Sequence, residues 1–144
     1  MADVLIVEDN PGDEELMLFA LNKHKVTNSV KIVRDGQEAL EYIFCTGFYE
    51  ARQTGKAPKV IFLDLNIPKV NGLEVLDQLK SSRETKHIPV VILSTSSEPR
   101  DITTSYCLGA NSYVVKPVDF DEFTRSIKDL CSYWLNLNRT PVSH

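Results

Sequence analysis

The chain has 144 residues, 42% of them apolar and 25% charged, and a net charge of −4. That length suits one domain burying its own core without disulfides or a structural metal. The acidic balance argues against nucleic-acid binding, which needs clustered lysine and arginine, and no run of about 18 apolar residues is available to span a membrane. The opening Met-Ala-Asp lacks the basic start of a secretory signal. Cys45, Cys107 and Cys131 are odd in number and form no CxxC pair, so they read as the reduced thiols of a cytoplasmic protein.

Five short apolar runs alternate with helical patterns. Val4-Leu5-Ile6-Val7 has no polar residue and suits a strand buried on both faces. Asn10-Pro11 offers an N-cap with proline at the first helical position, and Asp13, Glu14 and Glu15 are read as first-turn acids. Leu16, Phe19, Ala20 and Leu21 form the apolar face of that helix. Val30–Val33 alternates and reads as an edge strand, followed by an Asp35-Gly36 turn and a second helix marked by Ala39, Leu40, Ile43 and Phe44. Residues 46–58 are polar and contain two glycines, which predicts a long loop or an extended helix end. Val60-Ile61-Phe62-Leu63 is the clearest strand and ends at Asp64; Asn71-Gly72 opens a third helix. A strand over Val90–Leu93 is followed by a helix from Glu98-Pro99 to about Leu108, with Gly109 at its C′ position. Tyr113–Val115 is the fifth strand, and Asp119 caps a last helix reaching about Asn138. Strand and helix repeated five times imply a parallel sheet covered by helices on both faces, in one domain spanning residues 1–144.

In an open parallel sheet, ligands bind outside the carboxyl ends of the strands. Those ends carry Glu8-Asp9, Asp64 with Asn66 two residues on, Ser94-Thr95 and Lys116-Pro117. Each alone has an ordinary reading as a helix-start acid, a turn residue or a solvated charge. Together at one edge they bring three carboxylates into one place, where they repel unless a cation sits among them. Mg2+ suits an oxygen donor set and keeps several waters. Asp9 and Asp64 are expected to hold it directly, Glu8 through water and Asn66 through its backbone carbonyl, with Lys116 as a second positive charge. A carboxylate flanked in this way can attack a phosphoryl group in line.

At these residues the sequence resembles the receiver domains of two-component response regulators. The segments that carry the resemblance are VLIVEDN (4–10), VRDGQEAL (33–40), IFLDLNIPKVNGLEVL (61–76), IPVVILSTS (88–96) and GANSYVVKPVDFDEF (109–123), covering Val4 to about Leu130. The resemblance implies a flavodoxin-like (βα)5 fold with strand order 2-1-3-4-5. It also implies that Asp64 is the phosphoacceptor, that Glu8, Asp9, Asp64 and Asn66 place Mg2+, and that Ser94, Thr95 and Lys116 contact the phosphoryl group. Ser94 and Tyr113 become the switch pair, the aromatic ring moving inward when the hydroxyl moves. Lys116-Pro117 matches a bond that is often cis in the family. Asn66 and Ser96 flank the path of hydrolytic water and are expected to tune the phosphoryl lifetime. Three departures stand out: Glu8 where Asp is commoner, Thr95 where Ala or Gly is frequent, and a long 45–58 loop. That loop, the VEDNPGD start and the KPVDFDEF segment resemble stand-alone receivers that serve phytochrome-type histidine kinases.

The implied partners are a sensor histidine kinase or a histidine phosphotransfer protein, with no output domain in the chain. The expected output surface is the fourth helix, fifth strand and fifth helix. A last helix over 119–138 would be roughly 30 Å long at 1.5 Å per residue, beyond what the sheet edge needs. Tyr133, Trp134 and Leu135 on that overhang are candidate homodimer contacts. A competing reading, an Mg2+-dependent phosphohydrolase with Asp64 as nucleophile, is disfavoured because the second acid it wants two residues on is Asn66. A flavin or nucleotide binder is disfavoured because Glu8-Asp9-Asn10 follows the first strand where a phosphate-binding loop would lie.

Overall fold

A computed structural model describes residues 2–51 and 57–141. Five strands, β1 (Val4–Val7), β2 (Val30–Val33), β3 (Val60–Leu63), β4 (Val90–Ser94) and β5 (Ser112–Val115), form one parallel sheet in the order β2-β1-β3-β4-β5. Between and after them run α1 (Pro11–Lys23), α2 (Gly36–Phe44), α3 (Gly72–Ser81), α4 (Pro99–Cys107) and α5 (Phe120–Cys131). This is the flavodoxin-like (βα)5 architecture expected from the sequence.

The wholly apolar runs become β1, β3 and β4, every residue of which is buried, because strands in the middle of a covered sheet have no solvent side. Their side chains alternate between two cores. Leu5, Val7, Ile61, Leu63 and Ile92 pack with Val75, Leu76 and Leu79 of α3 and Ile43 of α2. Val4, Ile6, Phe62, Val91 and Leu93 pack with Met17 and Ala20 of α1 and Phe123 and Ile127 of α5. Burial of a side chain such as Phe62, 1% exposed, is worth roughly 1.5–3 kcal/mol.

Parallel topology puts the first turn of every helix at the sheet edge where the strands end. Four of those turns are capped by their own N-cap side chain: Asn10 accepts from Asp13 N–H, Asp35 from Glu38, Asn71 from Glu74 and Asp119 from Glu122. α4 differs, since its N-cap, Glu98, makes no such bond. Glycine is required at two close approaches: a Cβ on Gly36 would stand 1.7 Å from the Val70 carbonyl oxygen, and one on Gly72 2.4 Å from that of Asp64. These contacts seat the β3–α3 loop against α2 and brace the main chain at Asp64.

Two expectations change. The region after α2 turns through Cys45 in the left-handed conformation into a 3-10 turn at Gly47–Tyr49; the rest of the predicted long loop falls partly on residues 52–56, outside the described residues. The last helix reaches Leu137 as expected, but from Ser132 it is a π-helix. Phe123, Ile127, Cys131 and Leu135, spaced by four, are all buried. Four α-helical residues overshoot one turn by about 40°, and the wider i→i+5 turn takes back the accumulated drift.

Candidate functional site

Glu8 follows β1, Asp64 follows β3, Ser94 ends β4 and Lys116 follows β5, so the sheet delivers all four to one edge. The centre of the site is the Lys116 ammonium. Its Nζ donates to Glu8 Oε1 at 2.6 Å, Asp13 Oδ2 at 2.8 Å and Asp64 Oδ2 at 2.9 Å. The lysine side chain is 4% exposed, and those of Glu8 and Asp64 are 3% and 11% exposed. The second oxygens are held by backbone: Asn10 N–H donates to Glu8 Oε2 and Asn66 N–H to Asp64 Oδ1.

Burial disfavours the charged form of both Glu8 and Lys116, and its balance against their partners sets the direction each moves. Burial pushes Glu8 up to about 7 against the pull of Lys116. Burial also opposes the charge on Lys116, but the bonds from Asp13, Glu8 and Asp64 reverse that and hold its pKa above the ordinary lysine value. The result is an ion cluster with three carboxylates and one ammonium, an excess of negative charge suited to a further hard cation.

The lysine, expected as a second positive charge beside the metal, stands inside the acid cluster itself. Asp13 is the residue sequence reasoning missed, having been read as an ordinary first-turn acid. Its signal was position: it is third in α1 after the Asn10 cap, where a side chain can reach back past the helix start. Asp9, Asn66 and Thr95 lie exposed on the rim. Among the described residues no three His, Cys, Asp or Glu side chains form a ready metal cage. The carboxylates that converge are bonded to Lys116. The donor set is still all oxygen and carries excess negative charge, which fits a hard divalent cation.

Ser94 is fully buried, and its Oγ accepts the Ser96 N–H at 3.1 Å. Tyr113 is half-buried, packs against the α2–α3 core, and donates its hydroxyl to the Ser96 carbonyl at 2.9 Å. The ring is thus already tied to the β4–α4 loop, where an outward position was expected before the hydroxyl moves. A cavity of about 230 Å³ is lined by Leu65, Asn66 and Asn71 of the β3–α3 loop and by Ser94, Ser96 and Asp101. The Lys116–Pro117 bond is trans.

The dimer candidates separate. Tyr133 is 48% exposed and meets Trp134 edge-on, with ring centroids 4.8 Å apart. Trp134 is half-buried, and Leu135, expected on the overhang, is 8% exposed and packed into the α1–α5 core by the π-helical turn. Leu137, 70% exposed, takes its place on the surface. No helix among the described residues is long and apolar enough to cross a membrane.

Comparison with known proteins agrees with this geometry. The chain is similar to Rcp1, a response regulator from Synechocystis, at 34% identity over 97% of this chain and 93% of that one. The crystal structure of Rcp1 in its Mn2+-bound form superposes with a TM-score of 0.88 at 33% identity, covering 99% of this chain and all of that one. The phosphorylated cyanobacterial phytochrome response regulator RcpA gives a TM-score of 0.89 at 38% identity, covering 98% and 99%. A bacteriophytochrome response regulator, RtBRR, is 50% identical with a TM-score of 0.78, covering 98% and 84%. The family model for the response regulator receiver domain matches residues 4–128. With the acid cluster, its lysine and the five-stranded sheet all inside that span, the chain belongs to the response regulator receiver domain family.

Proposed function

We propose that the chain is a signalling switch that accepts a phosphoryl group on Asp64 in an Mg2+-dependent reaction. The observation that carries this reading is the bond from Lys116 Nζ to Asp64 Oδ2 inside a buried acid cluster. Lys116 keeps its proton and, through its bond to Oδ2, orients the Asp64 side chain. An Asp64 oxygen then forms the bond to phosphorus as the donor's bond breaks, and the leaving group departs with the electron pair. Asp9 and Asp64, the Asn66 carbonyl and, through water, Glu8 would hold the metal, which neutralises charge on the phosphoryl oxygens. The Mn2+-bound form of Rcp1 supports a divalent ion at this site. Lys116 and Ser94, with Thr95 at the rim, would contact the transferred group, Asn66 and Ser96 would tune its loss, and Ser94 with Tyr113 would report it to α4, β5 and α5.

The protein acts as an acceptor rather than a turnover enzyme, in the cytoplasm, with a sensor histidine kinase as donor. The phytochrome response regulators among its relatives favour a phytochrome-type kinase, and onward transfer to a histidine phosphotransfer protein uses the same carboxylate. A homodimer would use Tyr133, Trp134 and Leu137, since Leu135 is committed to the chain's own core. Incubation with Mg2+ and acetyl phosphate should add one phosphoryl group by mass spectrometry, and Asp64→Asn should abolish it. Modification persisting in that variant overturns the assignment. Light scattering at tens of micromolar tests the dimer, and a monomer with and without phosphodonor rejects it.

A further inference from the structure

Four hydrogen bonds converge on Ser96, in the β4–α4 loop. Its N–H donates to Ser94 Oγ at 3.1 Å, and its carbonyl accepts from Tyr113 Oη at 2.9 Å. Its Oγ accepts the Glu98 N–H at 3.2 Å and donates to Asp101 Oδ2 at 2.5 Å. Ser94 and Tyr113 are therefore linked through the main chain of Ser96. The N-cap of α4, Glu98, makes no capping bond with its own side chain, and its backbone N–H and the first-turn Asp101 side chain are both held by this same loop residue. A hydroxyl has one proton. Given to the Asp101 carboxylate in a charge-assisted bond, it leaves the Ser96 oxygen free to accept the N–H of Glu98, just before the helix.

We propose that Asp101 and Ser96 form a clamp that holds Ser94 where it now stands and fastens both switch residues to α4, so that breaking the clamp makes the phosphorylated state easier to reach. This inference rests on the reading of Asp64 as phosphoacceptor. Ser94 Oγ must come within reach of a phosphoryl oxygen on Asp64, and the bond it accepts from the Ser96 N–H holds it where it now stands. The loop has space to shift: the cavity of about 230 Å³ lies between residues 94–96 and the β3–α3 loop, with Asp101 in its wall. Asp101 makes none of the bonds to Asp64, so it is a positioning residue that acts through Ser96. The plainer reading is that an acid in the first turn of α4 simply offsets the helix dipole. That role alters stability alone and leaves the site's affinity for a phosphoryl group unchanged.

The test is calorimetric titration of the full chain with beryllofluoride in the presence of Mg2+. This probe mimics a phosphoryl group on a carboxylate and is not turned over, so changes in phosphoryl lifetime do not enter. Asp101→Ala and Ser96→Ala are each expected to tighten binding about tenfold, the equivalent of roughly 1.4 kcal/mol or one hydrogen bond. The double variant should bind no tighter than either single one, because both remove the same bond. Asp101→Asn, whose amide oxygen still accepts from Ser96, should stay near the parent. Melting temperature without beryllofluoride records the stability lost with these bonds separately. Ser96→Ala removes only a hydroxyl and carries the test should Asp101→Ala fail to fold. Unchanged affinity in both alanine variants, or single effects that multiply in the double variant, overturns the clamp. A parent that does not bind, or Asp64→Asn that binds as the parent does, overturns the acceptor reading and the clamp with it.

Discussion

Lys116 and Lys80 lie at opposite ends of the sheet, and each donates three hydrogen bonds. The partners of Lys116 are the carboxylates of Glu8, Asp13 and Asp64. Those of Lys80 are uncharged oxygens, the carbonyls of Lys86 and Ile88 and the side chain of Asn111. Burial works against the charge on both. At Lys116 the carboxylates outweigh it and the pKa rises; at Lys80 burial prevails and the pKa falls to about 8. Burial of a lysine therefore says little by itself, and the charge of what surrounds it separates the hub of an acid cluster from a stitch. Lys80 ties the end of α3 to the segment entering β4 and to Asn111, whose Oδ1 also accepts the Val90 N–H.

Removing each lysine breaks the comparison most directly. Lys116→Met should cost about 3 kcal/mol in urea unfolding with EDTA, because it leaves buried carboxylates unpaired. Mg2+ should restore more stability to this variant than to the parent, since the site it leaves is more negative. Phosphorylation by acetyl phosphate should be lost. A variant as stable as the parent in EDTA would show that the acids are already protonated at neutral pH.

Glu8 sharpens the same contrast through pH. Its folded pKa, about 7, lies above its unfolded value near 4.5. Between those values the folded state binds more protons, so stability in EDTA should fall as pH rises from about 4.5 to 7, by on the order of 2 kcal/mol. Glu8→Gln should flatten that slope. A parent profile already flat over this range would place the Glu8 pKa near its ordinary value.

Smaller effects are expected at Lys80. Lys80→Ala should cost about 1 kcal/mol, mainly from lost hydrogen bonds, and leave phosphoryl acceptance unchanged. The folded pKa of Lys80 is depressed, so between about pH 8 and 10.5 the unfolded chain holds the proton that the folded one has released. Stability from this group therefore rises with pH in that window, and the variant should lose the rise. Lys116, with its pKa raised, contributes stability that is fully present up to the ordinary lysine value and is lost as pH climbs beyond it toward the folded pKa, so it gives no rise in this range.

Much of this was legible in the sequence because it depended on local pattern. Apolar runs marked the central strands, cap residues such as Asn10, Asn71 and Asp119 marked helix starts, and strand-end polar residues marked the edge where Glu8, Asp64, Ser94 and Lys116 meet. Contacts set by three-dimensional reach were hidden. The turn of Asp13 back to Lys116 and the bond between Ser96 and Asp101 join residues whose individual roles are ordinary helix and loop chemistry. The inward turn of Leu135 was hidden because an α-helical wheel cannot represent a change of helical pitch.

That change of pitch makes the outer face of the C-terminal segment a matter of phase. Deleting one residue within Ser132–Leu137 would return the segment toward α-helical register, in which each residue subtends about 100° of the helix circumference. The side chains presented outward would then be reassigned without any change in residue type. Any surface built around Tyr133 and Leu137 is thus encoded by helical geometry as much as by composition, and a chain of nearly identical sequence but one residue shorter would offer a different face.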